Sequence, residues 1–290
     1  MTTPIRSTTV RKETSIYKVT ATIQSVALHL TLTLLALLFL APLYLMMVYA
    51  TLPDNGIYSG AVWFGSEAAK NFQNLQADTN FIRALTNSLM IAVIYTTVSL
   101  FLTSMAGFAF TKYDFAGKNF WFGIILATLA IPAFVTIIPQ YILMASNFKL
   151  TNTYWAVVLP GLANTVGIFY MRQSFMSVHN DLLNAARIDG ASEWRVYWQI
   201  ALPVVRPALA ALAILLFLTS WNDYLWPLLV LNNKDAYTIP VALGTLVGLN
   251  RVSWGGIMMG TAISTVPFLI LFMVAQRHLI AGIAGGSVKG

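Results

Sequence analysis

The chain has 290 residues, 58% hydrophobic and only 9% charged, with 17 Lys and Arg against 10 Asp and Glu, a net charge of +7. A soluble domain carries nearer to about 25% charged residues, so lipid must be the solvent for much of this chain. The basic residues are scattered between apolar runs and form no patch, which argues against nucleic acid as a partner. Disulfides and thiolate metal sites are excluded, because there is no cysteine. His29, His179 and His278 stand far apart and no HExxH spacing occurs, so no catalytic metal centre is expected.

The first segment, residues 1–24, carries Arg6, Arg11, Lys12 and Lys18 and reads as a cytoplasmic tail. The apolar run after it is too long for the core of a signal peptide and reads as a retained first span. A helix crosses the hydrocarbon with about 20 apolar residues. Runs near 25–50, 84–110, 119–147, 152–171, 207–231 and 254–276 qualify, giving six spans within a domain over 25–280 and a short tail at 281–290. The run 236–250 is too short, and Pro240 interrupts it; it reads as an interfacial or re-entrant piece.

With six spans, one side of the membrane holds twelve basic residues and the other holds only Lys70, Arg83, Lys149, Lys234 and Arg251. The bias places both termini in the cytoplasm. The connection 51–83 is then external, and 172–206 is a long cytoplasmic loop.

Within the spans, Pro132 and Pro139 should bend or break the third helix and free carbonyls for a partner or water. Gln140 and Tyr141 follow that break and are candidate pathway residues, together with Asn164. Asp223, about 16 residues into the fifth span, is either a pathway or subunit-interface carboxylate or an interfacial one reaching water. Asn222 and Tyr224 flank it, and Trp221, Tyr224 and Trp226 suit an interfacial aromatic belt or a sugar-stacking face.

The cytoplasmic loop has its own pattern. Asp181 to Ile188 reads as a short amphipathic helix with Leu182, Ala185 and Ala186 on one side. Asp189-Gly190 signals a turn, because glycine accepts positive φ. Ser192 can cap a second helix, and Glu193 in its first turn favours the positive end of the helix dipole. Trp194, Tyr197 and Trp198 give that helix an aromatic face, and Pro203 and Pro207 end it and begin the fifth span. Such a hairpin either rests on headgroups or docks a soluble partner.

Asn184-Ala185-Ala186, the Gly190 four residues later and Leu202-Pro203 a dozen further on resemble the EAA loop of ABC-importer permeases. The resemblance covers nearly the whole chain and is closest to the maltose-type, MalG-like carbohydrate permeases. It is carried by Asn87-Ser88-Leu89, by Ile131-Pro132 through Pro139-Gln140-Tyr141, and by Asn152-Thr153-Tyr154-Trp155 through Leu159-Pro160-Gly161. Trp221 through Pro227 and the ending Gln276-Arg277-His278 through Gly290 carry it further. One departure stands out: the family's Glu is Asn184 here.

The resemblance implies an all-α membrane fold, the type I ABC importer permease, with six transmembrane helices and a cytoplasmic coupling loop. It makes Asn184, Ala185, Ala186, Asp189, Gly190, Ala191, Glu193, Leu202 and Pro203 the ATPase-coupling residues. It further implies a homologous second permease, an ATPase subunit dimer and an extracytoplasmic solute-binding protein as partners, in a bacterial or archaeal inner membrane. No cofactor is expected on this chain, since no GxxxxGK[ST] occurs and ATP and Mg would bind the partner ATPase. The expected solute is a sugar or oligosaccharide. A secondary transporter is the rival reading, but no inverted repeat and no carboxylate pair for ion coupling is visible. A permease for a non-sugar solute also stays open.

Overall fold

The computed structural model describes residues 8–247 and 252–286. Arg6, Arg251 and Lys289 of the basic-residue count, and the last residues of the matching C-terminal pattern, lie outside the described residues. All the described regular structure is helical. Three helices are individually long and apolar enough to cross a membrane, and three bent helix pairs bring the number of candidate spans to six.

Helix α1 (Thr8–Tyr49) begins inside the segment read as a tail, and its apolar part from Gln24 forms the first span. Its large apolar side chains from Val26 to Leu40 all face outward, as lipid or a neighbouring subunit requires. Its last turn enters the bundle, where Val48 is buried, as is Ala50 just beyond the helix. The connection that follows is structured, with α2 (Asp54–Tyr58) and α3 (Ala68–Thr79). Buried Asn71 ties α3 back to α1, donating to the carbonyls of Ala50 and Leu52, both at 2.9 Å.

Helix α4 (Phe81–Lys112) is the axis of the molecule. It packs against three later helices, α8 (Thr165–Met176), α12 (Arg206–Trp221) and α14 (Ile239–Val247). Its buried stripe of Ala84, Asn87, Ser88, Ile91, Ala92, Tyr95, Ser99, Thr103, Ser104, Gly107 and Phe108 follows the three-and-four helical period. Small residues in that stripe let neighbours approach. A Cβ on Gly107 would lie 2.7 Å from the backbone nitrogen of Arg172, so only glycine fits this crossing.

The third span is not one straight helix. Helix α5 (Lys118–Ala127) runs into a 3-10 turn, and α6 (Ala133–Ile142) leaves after a 100° bend. Pro132 stands at that break as the N-cap of α6, whereas Pro139 lies inside α6. The fourth span is α7 (Tyr154–Val158) and α8, bent by 49°.

After the segment that follows α8, α12 forms the helical part of the fifth span. It stops before Asp223, so the continuous fifth span expected over 207–231 is corrected. Pro227 has no N–H to give the Asp223 carbonyl, which removes one of the bonds a continuous helix would need there. A short α13 (Leu225–Val230) resumes beyond the break.

The apolar run near 236–250 folds as α14, too short to cross a bilayer, with Ile239, Val241, Ala242 and Leu246 buried. Helix α15 (Trp254–Gly286) follows and extends into the segment read as the second tail.

Residues that carry the family resemblance do structural work here. Asn87 donates to the carbonyls of Asp235 and Tyr237 at 2.9 and 3.0 Å and accepts from the Tyr154 hydroxyl at 2.7 Å. Ser88 accepts from the Ile239 amide at 2.8 Å. Asn152, with φ at 62°, accepts from the amides of Asn232 and Asn233. These bonds satisfy backbone groups where the chain is irregular, which a bilayer demands.

Candidate functional site

The segment between α8 and α12 folds as a helix, a turn and a second helix. Helix α9 (Asn180–Ile188) buries Leu183 and half-buries Ala186 and Arg187. Leu182 and Ala185, expected on the apolar side, face outward instead, and Ile188 is 86% exposed. Over only nine residues the periodicity allows two apolar stripes, and packing against residues Val196–Ala201, in the buried cluster shared with α4 and α8, selects the one with Leu183. The exposed stripe of Leu182, Ala185 and Ile188 is left for another surface.

The turn after α9 is the one the residues demand. Gly190 adopts φ of 81°, its amide donates to the Arg187 carbonyl, and the Ala191 amide donates to the Ala186 carbonyl, both at 3.0 Å. That bond pair is the Schellman arrangement, which ties off a helix end and usually needs glycine. Asp189 is the C-cap. The Ser192 side chain accepts from the Arg195 amide at 3.4 Å and caps the next helix, as expected.

The second arm starts as α10 (Glu193–Arg195), passes through a π-helical turn over Val196–Ala201 and ends as α11 (Leu202–Val204). Pro203 does not end it; the break falls at Val205, where the chain turns by 83° into α12, with Pro207 in the first turn of α12. Pro203 cannot donate to the Gln199 carbonyl, which fits the loosened π-turn before it.

This arm is welded to the spans. Val178, Leu183, Val196, Tyr197, Ala201, Leu202 and Val205 belong to the same buried cluster as Phe108 of α4, Phe175 of α8 and Leu212 of α12. The Tyr197 hydroxyl pairs with Ser104 Oγ at 2.7 Å, and Trp198 stacks on Phe101 with ring centroids 6.1 Å apart.

A charged group joins the arms across Gly190. Glu193 receives Arg187 through two parallel bonds, Nε to Oε1 at 2.7 Å and Nη2 to Oε2 at 3.0 Å. Asn184, which stands where the family has Glu, accepts from Arg187 Nη1 at 3.0 Å. Hydrogen bonding to Glu193 holds the Arg187 guanidinium above its ordinary pKa, so the pair stays charged on the arginine side. Arg187, Tyr113 and Lys112 were not singled out by sequence reasoning. Tyr113 and its partner Glu193 are 80 residues apart, and nothing local links them.

The candidate pathway residues are only partly brought together. Asn164 caps α8 by accepting from the Gly167 amide at 2.7 Å, and its Nδ2 points to the Tyr95 hydroxyl at 3.4 Å. Asp223 accepts from the Trp226 amide in the first turn of α13 at 3.4 Å. Tyr141 packs on the same cluster as Tyr95, while Gln140 reaches only Thr136 of its own helix. Asn222 folds back on the Leu218 carbonyl, and Tyr224 seats its ring against Gly244. The Trp226 indole donates to the Ala156 carbonyl at 2.9 Å, so this ring is committed within the bundle. Tyr95 was not anticipated.

Residues 99–285 match the family model described as binding-protein-dependent transport system inner membrane component. The chain belongs to that family: it is a multi-pass inner-membrane permease subunit of an ABC importer, a class of protein that is not itself catalytic and typically binds no cofactor. It is 41% identical over 204 residues to the arabinooligosaccharides transport system permease protein AraQ of Halalkalibacterium halodurans, covering 70% of this chain and 73% of that one. The lactose transport system permease protein LacG of Rhizobium radiobacter is 34% identical over 258 residues, 89% of this chain and 94% of the relative. The sn-glycerol-3-phosphate transport system permease protein UgpE of Escherichia coli K12 is 31% identical over 265 residues, 88% and 94% of the two chains. In fold, the chain matches a crystal structure of a bacterial ABC transporter involved in the import of the acidic polysaccharide alginate. The TM-score is 0.74 at 21% identity, over 95% of this chain and 99% of that one.

Proposed function

We propose that this chain forms half of the translocation pathway of a carbohydrate importer and receives the force of ATP hydrolysis through residues 178–205. It pairs with a second, homologous permease, sits on a dimer of ATPase subunits, and takes solute from an extracytoplasmic binding protein, with both its termini in the cytoplasm. The observation that carries the coupling role is the shared core. A helix, a glycine turn and a second helix are packed into one apolar cluster with α4, α8 and α12, while Leu182 and Ile188 stay exposed. A push on α9 is therefore passed to the spans as a rigid-body movement. Asn184 offers no charge to the ATPase, so docking there rests on the apolar stripe.

The relatives named for arabinooligosaccharides and lactose support a saccharide as the solute. The candidate pathway groups agree: amides, phenols and one carboxylate can hydrogen-bond hydroxyls. The relative named for sn-glycerol-3-phosphate favours a second reading, a phosphorylated polyol. Against it, the candidate pathway residues Gln140, Tyr141, Asn164, Asn222, Asp223 and Tyr224 include no basic side chain to compensate a phosphate. The test is ATPase activity of the complete importer in liposomes with its binding protein. Stimulation by a neutral saccharide is expected. Stimulation only by a glycerol phosphate, an amino acid or a cation would overturn the solute assignment.

A further inference from the structure

The last residue of α4 and the residue after it take hold of α9 at opposite ends. Lys112 Nζ donates to the Val178 carbonyl just before α9 and, at 2.9 Å, to Oδ1 of Asn180, the first residue of α9. The Tyr113 hydroxyl donates to Glu193 Oε2 at 2.5 Å. Glu193 in turn holds Arg187 of the last turn of α9 through the two-bond pair across Gly190. A nine-residue helix spans about 13 Å, so the two grips sit roughly that far apart.

We infer that Lys112, Tyr113, Arg187 and Glu193 are positioning residues that clamp the coupling helix to α4 at both ends, so that α9 and α4 move as one piece. A helix held at one end pivots and dissipates a push; held at both, it transmits displacement and rotation. The turn between the arms needs such a latch. Nothing packs over the turn itself, with no atom within 4 Å of where a Cβ on Gly190 would stand, and the fork is the side-chain contact that bridges the arms across it. The Arg187–Glu193 fork is a planar, bidentate contact, the geometry with the most orientational information among ion pairs.

The clamp also has somewhere to deliver its motion. The same α4 holds the far loop through Asn87 and Ser88, and presents Tyr95 beside Asn164. One helix thus links the coupling segment, the candidate pathway and the opposite face. This inference rests on the reading of α9 as the ATPase-facing helix.

The test uses the complete importer reconstituted in liposomes, and reads solute transported per ATP hydrolysed together with ATPase retention on purification. Arg187→Met, Glu193→Gln and the double variant change exposed or half-exposed side chains, so assembly should survive; Lys112→Met probes the other grip. Each single variant should keep its ATPase but lower solute per ATP on the order of threefold or more, with the Arg187/Glu193 double no worse than either single. Full coupling in all the variants, or losses that multiply in the double, would overturn the clamp. A separate variant, Leu182→Asp with Ile188→Asp, checks the reading beneath it. Loss of ATPase on purification supports docking on α9, and retention sinks both the docking reading and the clamp.

Discussion

Substitutions at Gly190 separate backbone conformation from packing. Its φ of 81° lies in the left-handed region, and no atom stands within 4 Å of where a Cβ would go. Any cost is therefore conformational. An ordinary L-residue there costs about 1–2 kcal/mol, Asn less, and a β-branched residue more. One to two kcal/mol shifts the turn equilibrium by roughly 5- to 30-fold, enough to leave much of the lever wrongly angled. Uptake by the reconstituted importer should rank Gly190 above Gly190→Asn, then Gly190→Ala, with Gly190→Val close to inactive. ATPase subunits should remain bound throughout, because the exposed stripe on α9 is unchanged. If Gly190→Val transports like the parent, or Gly190→Asn is as damaged as Gly190→Val, the left-handed turn is not what the lever needs.

Three further perturbations address the bundle. Gly107→Ala places a methyl 2.7 Å from the backbone of α8, and overpacking of this kind costs about 1–3 kcal/mol; it should lower the melting temperature of the purified complex despite better helix propensity. Asn87→Leu removes the donor to two carbonyls and the acceptor for Tyr154, so it should destabilise by about 1–3 kcal/mol for each group left buried and unpaired, read in the same melting experiment. Asp223→Asn keeps an acceptor for the Trp226 amide, whereas Asp223→Ala loses that hydrogen bond, worth about 0.5–1.5 kcal/mol. Normal stability with lost uptake in Asp223→Asn would put the charge itself on the solute path; normal uptake leaves Asp223 as a structural acceptor for the Trp226 amide.

The turn at Gly190, the cap at Ser192 and the bend at Pro132 were legible in the sequence because each obeys a local rule of φ, capping or a missing N–H. The length of the apolar runs pointed to the spans, of which three helices are individually long and apolar enough and up to six arise if each bent pair is one span. Where the reading went astray, competing forces were in play. The fifth span looked continuous through Asp223 because its apolar run continues, while Pro227 removes one of the bonds a continuous helix would need there. Leu182 and Leu183 are equally apolar neighbours, and only tertiary packing chooses which is buried. The grips of Lys112 and Tyr113 on α9 join residues 66 to 80 positions apart, a relation that no periodicity encodes.

The central claim is that α9 presents Leu182 and Ile188 to the ATPase. The natural chain has no cysteine, so Ile188→Cys introduces a unique attachment point for a thiol-linked photocrosslinker. In the assembled complex, irradiation should join this chain to the nucleotide-hydrolysing subunit. An adduct with the solute-binding protein, or with lipid alone, would contradict the account.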